Sequence, residues 1–267
     1  MTSRQFTFIC VVPLCIFTLA FLALPLTRLV LASGDGNFGW GVYLRILQTP
    51  RYLTSLVQTV VVSFAVTIIA LAISTTAGLF LARNRFRGRG VLLSILTLPL
   101  AFPGVVVGFM IILFGGRQGL FNTLLPGHWV FAYSIFGLFL GYLYFSIPRV
   151  LLTVMAAAKK IDPELEDAAR TLGAPPHRVV IDVILPALAP AMIAAGAIAF
   201  ATAMGAFGTA FTLATNIDVR PMVIYTEFTL SANIAMAAAL SVVLGLVTWI
   251  LLLIARSLSG TTVAAGS

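Results

Sequence analysis

The chain has 267 residues, of which 60% are hydrophobic and 9% charged. A soluble globule carries charge on about a quarter of its residues, so the composition excludes a water-exposed domain and places the chain in a lipid bilayer. Its 16 basic residues against 8 acidic ones fall mostly between apolar runs, which reads as membrane topology and argues against nucleic acid as a partner.

A spanning helix needs about 20 consecutive, mostly apolar residues. The first such run covers residues 6–31 and includes Pro13 and Pro25. It is longer than a signal-peptide core and lacks a small-residue cleavage site, so a retained membrane helix is expected. Cys10 and Cys15 lie inside it, five residues apart on different helix faces, and read as apolar packing. A glycine-rich outer loop follows. Within it, residues 42–47 read equally well as a plain loop or as a short interfacial helix with Trp40 and Tyr43 at headgroup level.

The second run, 53–82, stops at Arg83, Arg85, Arg87 and Arg89. The third, 91–114, carries Pro99 and Pro103 and is expected to be kinked or broken. The fourth is 130–155, followed by a polar stretch at 159–178. The fifth is 186–215 and the sixth 234–255. The expectation is an all-α integral membrane protein with six transmembrane helices. No internal duplication is visible.

Placing the four-arginine loop in the cytoplasm fixes the other loops by alternation. Arg4, Arg83, Arg85, Arg87, Arg89, Arg149, Lys159, Lys160, Arg170, Arg178 and Arg256 then fall inside; Arg28, Arg45, Arg51, Arg117 and Arg220 fall outside. This bias puts both termini in the cytoplasm.

The stretch after the fourth run carries a complete helix signal. Asp162 is an N-cap residue and Pro163 suits the first helical position. Glu164, Glu166 and Asp167 favour the positive end of the helix dipole, and Gly173 suits a C-terminal stop. On the resulting helix, 162–172, Leu165, Ala168, Ala169 and Leu172 share one face. That small apolar knob fits either a groove on a partner protein or this chain's own membrane helices.

Asp167-Ala168-Ala169, Gly173 after three residues, then Val183, Leu185 and Pro186 resemble the EAA loop of binding-protein-dependent ABC importer permeases. Asp167 stands where that pattern has Glu and Val183 where it has Ile. The resemblance implies the type I permease fold: one extra N-terminal helix and outer loop (1–52), a five-helix core (53–256, coupling loop 156–186), and a C-terminal cytoplasmic tail (257–267). It implies that Glu166, Asp167, Ala168, Ala169, Leu172, Gly173, Leu185 and Pro186 couple to a cytoplasmic ABC ATPase dimer. A second permease subunit, identical or paralogous, and an extracytoplasmic solute-binding protein complete the assembly in a bacterial inner membrane.

No catalytic chemistry is legible in the residues. The only lysines, Lys159 and Lys160, do not follow a glycine, so there is no phosphate-cradling loop; nor is there a metal-ligand set. The chain is expected to be a non-catalytic subunit with no cofactor of its own, ATP and Mg²⁺ being bound by the partner ATPase. An ion-gradient-driven transporter would show repeats and midplane charges. A membrane anchor for an ATPase would bind the same partner without moving solute.

For the solute path, Pro103 and Gly104 could break the third run beside a cavity. Thr202, Thr209, Thr212, Thr215 and Asn216 supply polar groups on the fifth run. Gly104 with Gly108, and Gly137 with Gly141, form small-xxx-small pairs suited to close helix packing. Asp218, Arg220 and Glu227 are expected as solvated outer-loop charges or contacts for the binding protein, with an attractive mouth for cations as the other reading. His128 and His177 read as loop residues. The segment 114–122 resembles a turn in permeases for polyamines, 2-aminoethylphosphonate-type solutes and ferric iron, which sets the expected solute class.

Overall fold

The computed structural model describes residues 3–36, 38–124, 130–213 and 217–264. His128, Thr215 and Asn216 lie outside them. Among the described residues six helical segments are long and apolar enough to cross a membrane: Val11–Gly34, Pro50–Arg83, Gly104–Leu124, Ile135–Ala158, Pro176–Met204 and Ile234–Ser257.

In chain order, α1 (Ser3–Thr18) passes through a π turn at Leu19–Ala23 into α2 (Leu24–Gly34). Val11–Gly34 lies on the outside of the molecule, with none of its most apolar stretch buried. The short α3 (Val42–Gln48) is a helix, as one of the two readings of that segment had it. It lies on protein: Val42 and Ile46 are buried against Val223, Met236 and Leu240, and the Tyr43 hydroxyl meets Ser33 Oγ at 2.8 Å.

The long α4 (Pro50–Arg83) organises the bundle. Its buried stripe is Ser55, Thr59, Val62, Ser63, Val66, Thr67, Ala70, Ser74, Thr75, Gly78 and Leu81, mostly three or four residues apart. Val57, Val61, Phe64, Ile68 and Phe80 point outward. Bulk on the lipid side and small or hydroxyl residues at the seam let neighbouring backbones approach closely. A Cβ on Gly78 would sit 3.3 Å from Val154 Cγ1 and 3.5 Å from the Leu151 carbonyl. These belong to α8 (Ile135–Ala158), where the Ile147 carbonyl, next to Pro148, accepts a 3.0 Å hydrogen bond from Ser74 Oγ.

The third apolar run is broken where its prolines fall. α5 (Arg89–Thr97) tightens into a 3₁₀ turn, Leu98–Ala101, and the chain is extended at Phe102 and Pro103 before α6 (Gly104–Gly115). α5 with its turn is too short to cross a bilayer, so the third span begins at Gly104, not near residue 91. α7 (Leu120–Leu124) completes it.

α9 (Pro163–Thr171) is the polar-loop helix. α10 (Pro176–Arg178), a π turn at Val179–Ile184 and α11 (Leu185–Met204) run on as one segment, so the fifth span starts ten residues before Pro186 and includes His177. After Gly205, α12 (Gly208–Leu213) packs between α6 and α8; Thr212 covers Gly108, and Thr209 Cγ2 lies against Gly141. α13 (Arg220–Tyr225) and a π turn, Thr226–Leu230, lead to α14 (Ile234–Ala264), whose helix continues through most of the expected tail.

Candidate functional site

The polar-loop helix forms as its residues dictate. Asp162 Oδ1 accepts from the Glu164 N–H at 3.0 Å, and Pro163 occupies the first turn. Gly173 stops the helix at φ +82°. Its N–H donates to the Arg170 carbonyl (2.9 Å), and the Ala174 N–H to that of Ala169 (3.1 Å). A Cβ at Gly173 would meet nothing within 4 Å, so glycine is required there by backbone conformation and not by space.

The shared face divides in two. Ala169 turns back with Ala174 onto the cluster built from Ala158, Ile161, Val179 and Ile184. Glu166 also turns inward, accepting from Arg83 Nη2 at the end of α4, with Arg170 Nη2 3.9 Å from its other oxygen. Leu165 is 53% exposed and Leu172 88% exposed, and Ala168 and Asp167 are exposed with them. The outward surface is therefore Leu165, Ala168 and Leu172, spaced three and four apart, edged by Asp167. Leu185 is half-buried and Pro186 exposed at the start of α11.

Two arginines of the four-arginine loop have structural partners that topology alone does not reveal. Arg83 ties α4 to α9, and Arg89 Nε donates to the Leu81 carbonyl at 2.9 Å, closing the C-terminal end of α4. Their spacing from the end of the second apolar run was the available signal.

Inside the membrane, breaks in two helices meet. Thr209 Oγ1 donates to the Gly104 carbonyl (3.0 Å) beside the Pro103 break, and Tyr142 Oη donates to the Ala206 carbonyl (2.7 Å) beside the α11–α12 break. A cavity of about 310 Å³ opens between them, lined by Phe102, Gly104, Arg149, Thr202, Gly205 and Thr209 among others. Gly104, Thr202 and Thr209 thus come together; Pro103 supplies the extended turn beside them, and Thr212 packs on Gly108 instead. Arg149, expected on the cytoplasmic side, lies within α8, and its Nη1 donates to Thr202 Oγ1 at 2.6 Å.

The charges expected in the outer loop do not all behave as solvated groups. Arg220 is fully buried: its backbone N–H donates to Thr59 Oγ1 (2.8 Å) and its Nη1 to the Tyr52 carbonyl (2.8 Å). Nε and Nη2 have no partner among the described residues. Burial pushes the guanidinium down to about 10, so it stays charged at neutral pH. Glu227 is buried too, accepting from Tyr52 Oη at 3.0 Å. Only Asp218 matches the expectation, exposed and paired with Arg51 at 3.2 Å. The 114–122 turn is held by its own backbone and by rings: Asn122 Nδ2 donates to the Gly116 carbonyl (2.8 Å), and Phe131 packs edge-on against Phe114 and Phe121.

Residues 74–260 match the family described as binding-protein-dependent transport system inner membrane component. The molybdenum transport system permease protein ModB of Escherichia coli (strain K12) is 36% identical over 166 residues, 60% of this chain and 72% of that protein. The sulfate transport system permease protein CysT of the same organism is 29% identical over 238 residues, 84% of this chain and 83% of that one. A crystal structure of a bacterial alginate ABC transporter, in complex with an alginate pentasaccharide-bound periplasmic protein, superposes with a TM-score of 0.79 at 18% identity, over 96% of this chain and 94% of that chain. The chain belongs to the binding-protein-dependent transport system inner membrane components, as a multi-pass permease subunit of an ABC importer with the type I fold.

Proposed function

We propose that this chain forms the membrane path of an ATP-driven importer for a tetrahedral oxyanion of the molybdate or sulfate type. An extracytoplasmic binding protein delivers the anion, a second permease subunit completes the path, and a cytoplasmic ABC ATPase dimer, which binds ATP and Mg²⁺, drives it. Both termini lie in the cytoplasm. The relatives in molybdenum and sulfate transport support this solute class over the polyamine, aminoethylphosphonate or ferric iron expected from the 114–122 turn.

The observation that carries the reading is the outward face of α9. Leu165, Ala168 and Leu172 form an exposed apolar stripe on a helix fixed at both ends, by the Asp162 cap and by Gly173. A ridge of this spacing suits a groove on another protein. Its base is packed on this chain, so a displacement of the tip is passed to α4 and α11, a rigid-body switch. The test is uptake by proteoliposomes carrying the permease, its ATPase and its binding protein. ATP-dependent accumulation of radiolabelled molybdate or sulfate, without putrescine or aminoethylphosphonate uptake, is expected. Uptake of either amine with no oxyanion uptake overturns the assignment.

A further inference from the structure

We propose that the intramembrane cavity at Arg149 is a relay site that holds the oxyanion in transit; this rests on the solute class proposed above. Arg149 lies nine residues, about 13 Å, from the Ala158 end of α8. An ionisable residue at such depth is costly and is normally paired. None of the ion pairs among the described residues includes Arg149. None of the chain's eight acidic residues is on α6, α8, α11 or α12, the helices around the cavity.

Among the described residues, the one hydrogen bond of its guanidinium is to Thr202 Oγ1. The rest of the planar donor fork therefore has no protein acceptor among the described residues, and that fork matches the two-oxygen edge of a tetrahedral anion. A second positive end converges on the same space. The twelve-residue α6 begins at Gly104 after an extended Pro103, with no side chain capping it; the Val106 N–H donates to the Pro103 carbonyl at 2.9 Å, which leaves the Gly104 and Val105 N–H groups without partners within the helix. Gly104 itself lines the cavity, and its bare Cα lets α12 approach, since a Cβ there would lie 3.1 Å from Thr209 Oγ1. At about 310 Å³ the cavity has room for a tetrahedral anion and part of its hydration shell, each water occupying about 30 Å³.

A single arginine with one helix end binds weakly enough to let the ion leave, which a conducting path requires. A polyamine or ferric ion would instead be repelled. The charge that completes this cavity is a mobile anion.

The test uses the assembled transporter in proteoliposomes, with Arg149→Gln and Arg149→Lys variants checked for co-purification with the ATPase. R149Q is expected to lower molybdate or sulfate uptake at least tenfold, and R149K to keep several times more uptake than R149Q. Wild-type uptake in R149Q overturns the proposal, as does R149K falling as low as R149Q. Wild-type vesicles that move neither oxyanion overturn the solute reading itself, which separates the two failures. Should R149Q not assemble, the wild-type complex grown with tungstate decides: heavy-atom density beside Arg149 supports the site. Elongated lipid density in its place, or tungstate bound elsewhere only, overturns it.

Discussion

Arg83, the last residue of α4, is ion-paired with Glu166 in the middle of α9. The pair joins the Arg83 end of the central membrane helix to the helix proposed to meet the ATPase. Both side chains are partly shielded, at 28% and 13% exposure, so the pair contributes on the order of 1 kcal/mol. Reversing either charge alone, R83E or E166R, is expected to reduce uptake several-fold. The double reversal is expected to restore most of it, which a double-mutant cycle on uptake and thermal stability would measure. No recovery in the double variant would show that the two residues act separately.

Leu172 is 88% exposed, so replacing it by Asp changes the permease's own stability by no more than about 0.5 kcal/mol. The same change places a charge on the apolar ridge with Leu165 and Ala168. L172D and A168E should therefore purify as folded membrane protein yet lose co-elution with the ATPase. Retained co-elution would place the contact elsewhere.

At Gly173 the expected cost is conformational. Gly173→Ala should destabilise the end of α9 by about 1–2 kcal/mol, because φ +82° forces a side chain into the left-handed region. Gly173→Asn should be milder. Uptake and helix protection by hydrogen exchange should follow the order Gly, Asn, Ala. Equal behaviour of all three would remove the conformational argument.

Arg220 is buried with two unpartnered donors. Burial lowers its pKa to about 10, so the charged form is disfavoured inside the protein. Met fills a similar volume without that charge, whereas Ala leaves a void. Thermal unfolding should therefore find R220M at least as stable as wild type and R220A less stable by about 2–4 kcal/mol. The sign with pH follows from linkage. A base whose folded value is depressed has its full destabilising effect below about 10 and loses it as pH rises further, so the wild-type deficit against R220M is constant near neutrality and shrinks only in strong alkali.

Gly108 allows α6 and α12 to touch. A Cβ there would lie 1.5 Å from Thr212 Oγ1 and 2.7 Å from Thr212 Cβ. Overpacking of this kind costs about 1–3 kcal/mol. Gly108→Ala should lower the melting temperature, and Thr212→Gly should rescue part of that loss. Gly108→Ala with an unchanged melting temperature would deny the contact.

What was legible from residues alone was what local chemistry decides. Asp162, Pro163 and Gly173 define α9 within a residue or two because caps and stops act over one turn. Pro99 and Pro103 announce the break before α6 for the same reason. Arg220 was misplaced because its burial depends on α13 folding over Thr59, a contact across 161 residues of sequence. Arg149 was assigned to the cytoplasm although the run drawn at 130–155 contains it, since counting charges by side ignores depth. The inward face of α4 was hidden from hydropathy, because both faces are apolar; the recurrence of Ser55, Thr59, Ser63, Thr67, Ala70, Ser74 and Gly78 was visible as a pattern of size.

That pattern of size has a mechanical result. With bulky groups turned to lipid and slender ones at the seams, the bundle is held by fit instead of by solvent exclusion. Rolling one helix over its neighbour then trades one apolar contact for another of nearly equal energy, so a modest torque at the rim can tilt the whole barrel of helices without first prying open an oily core.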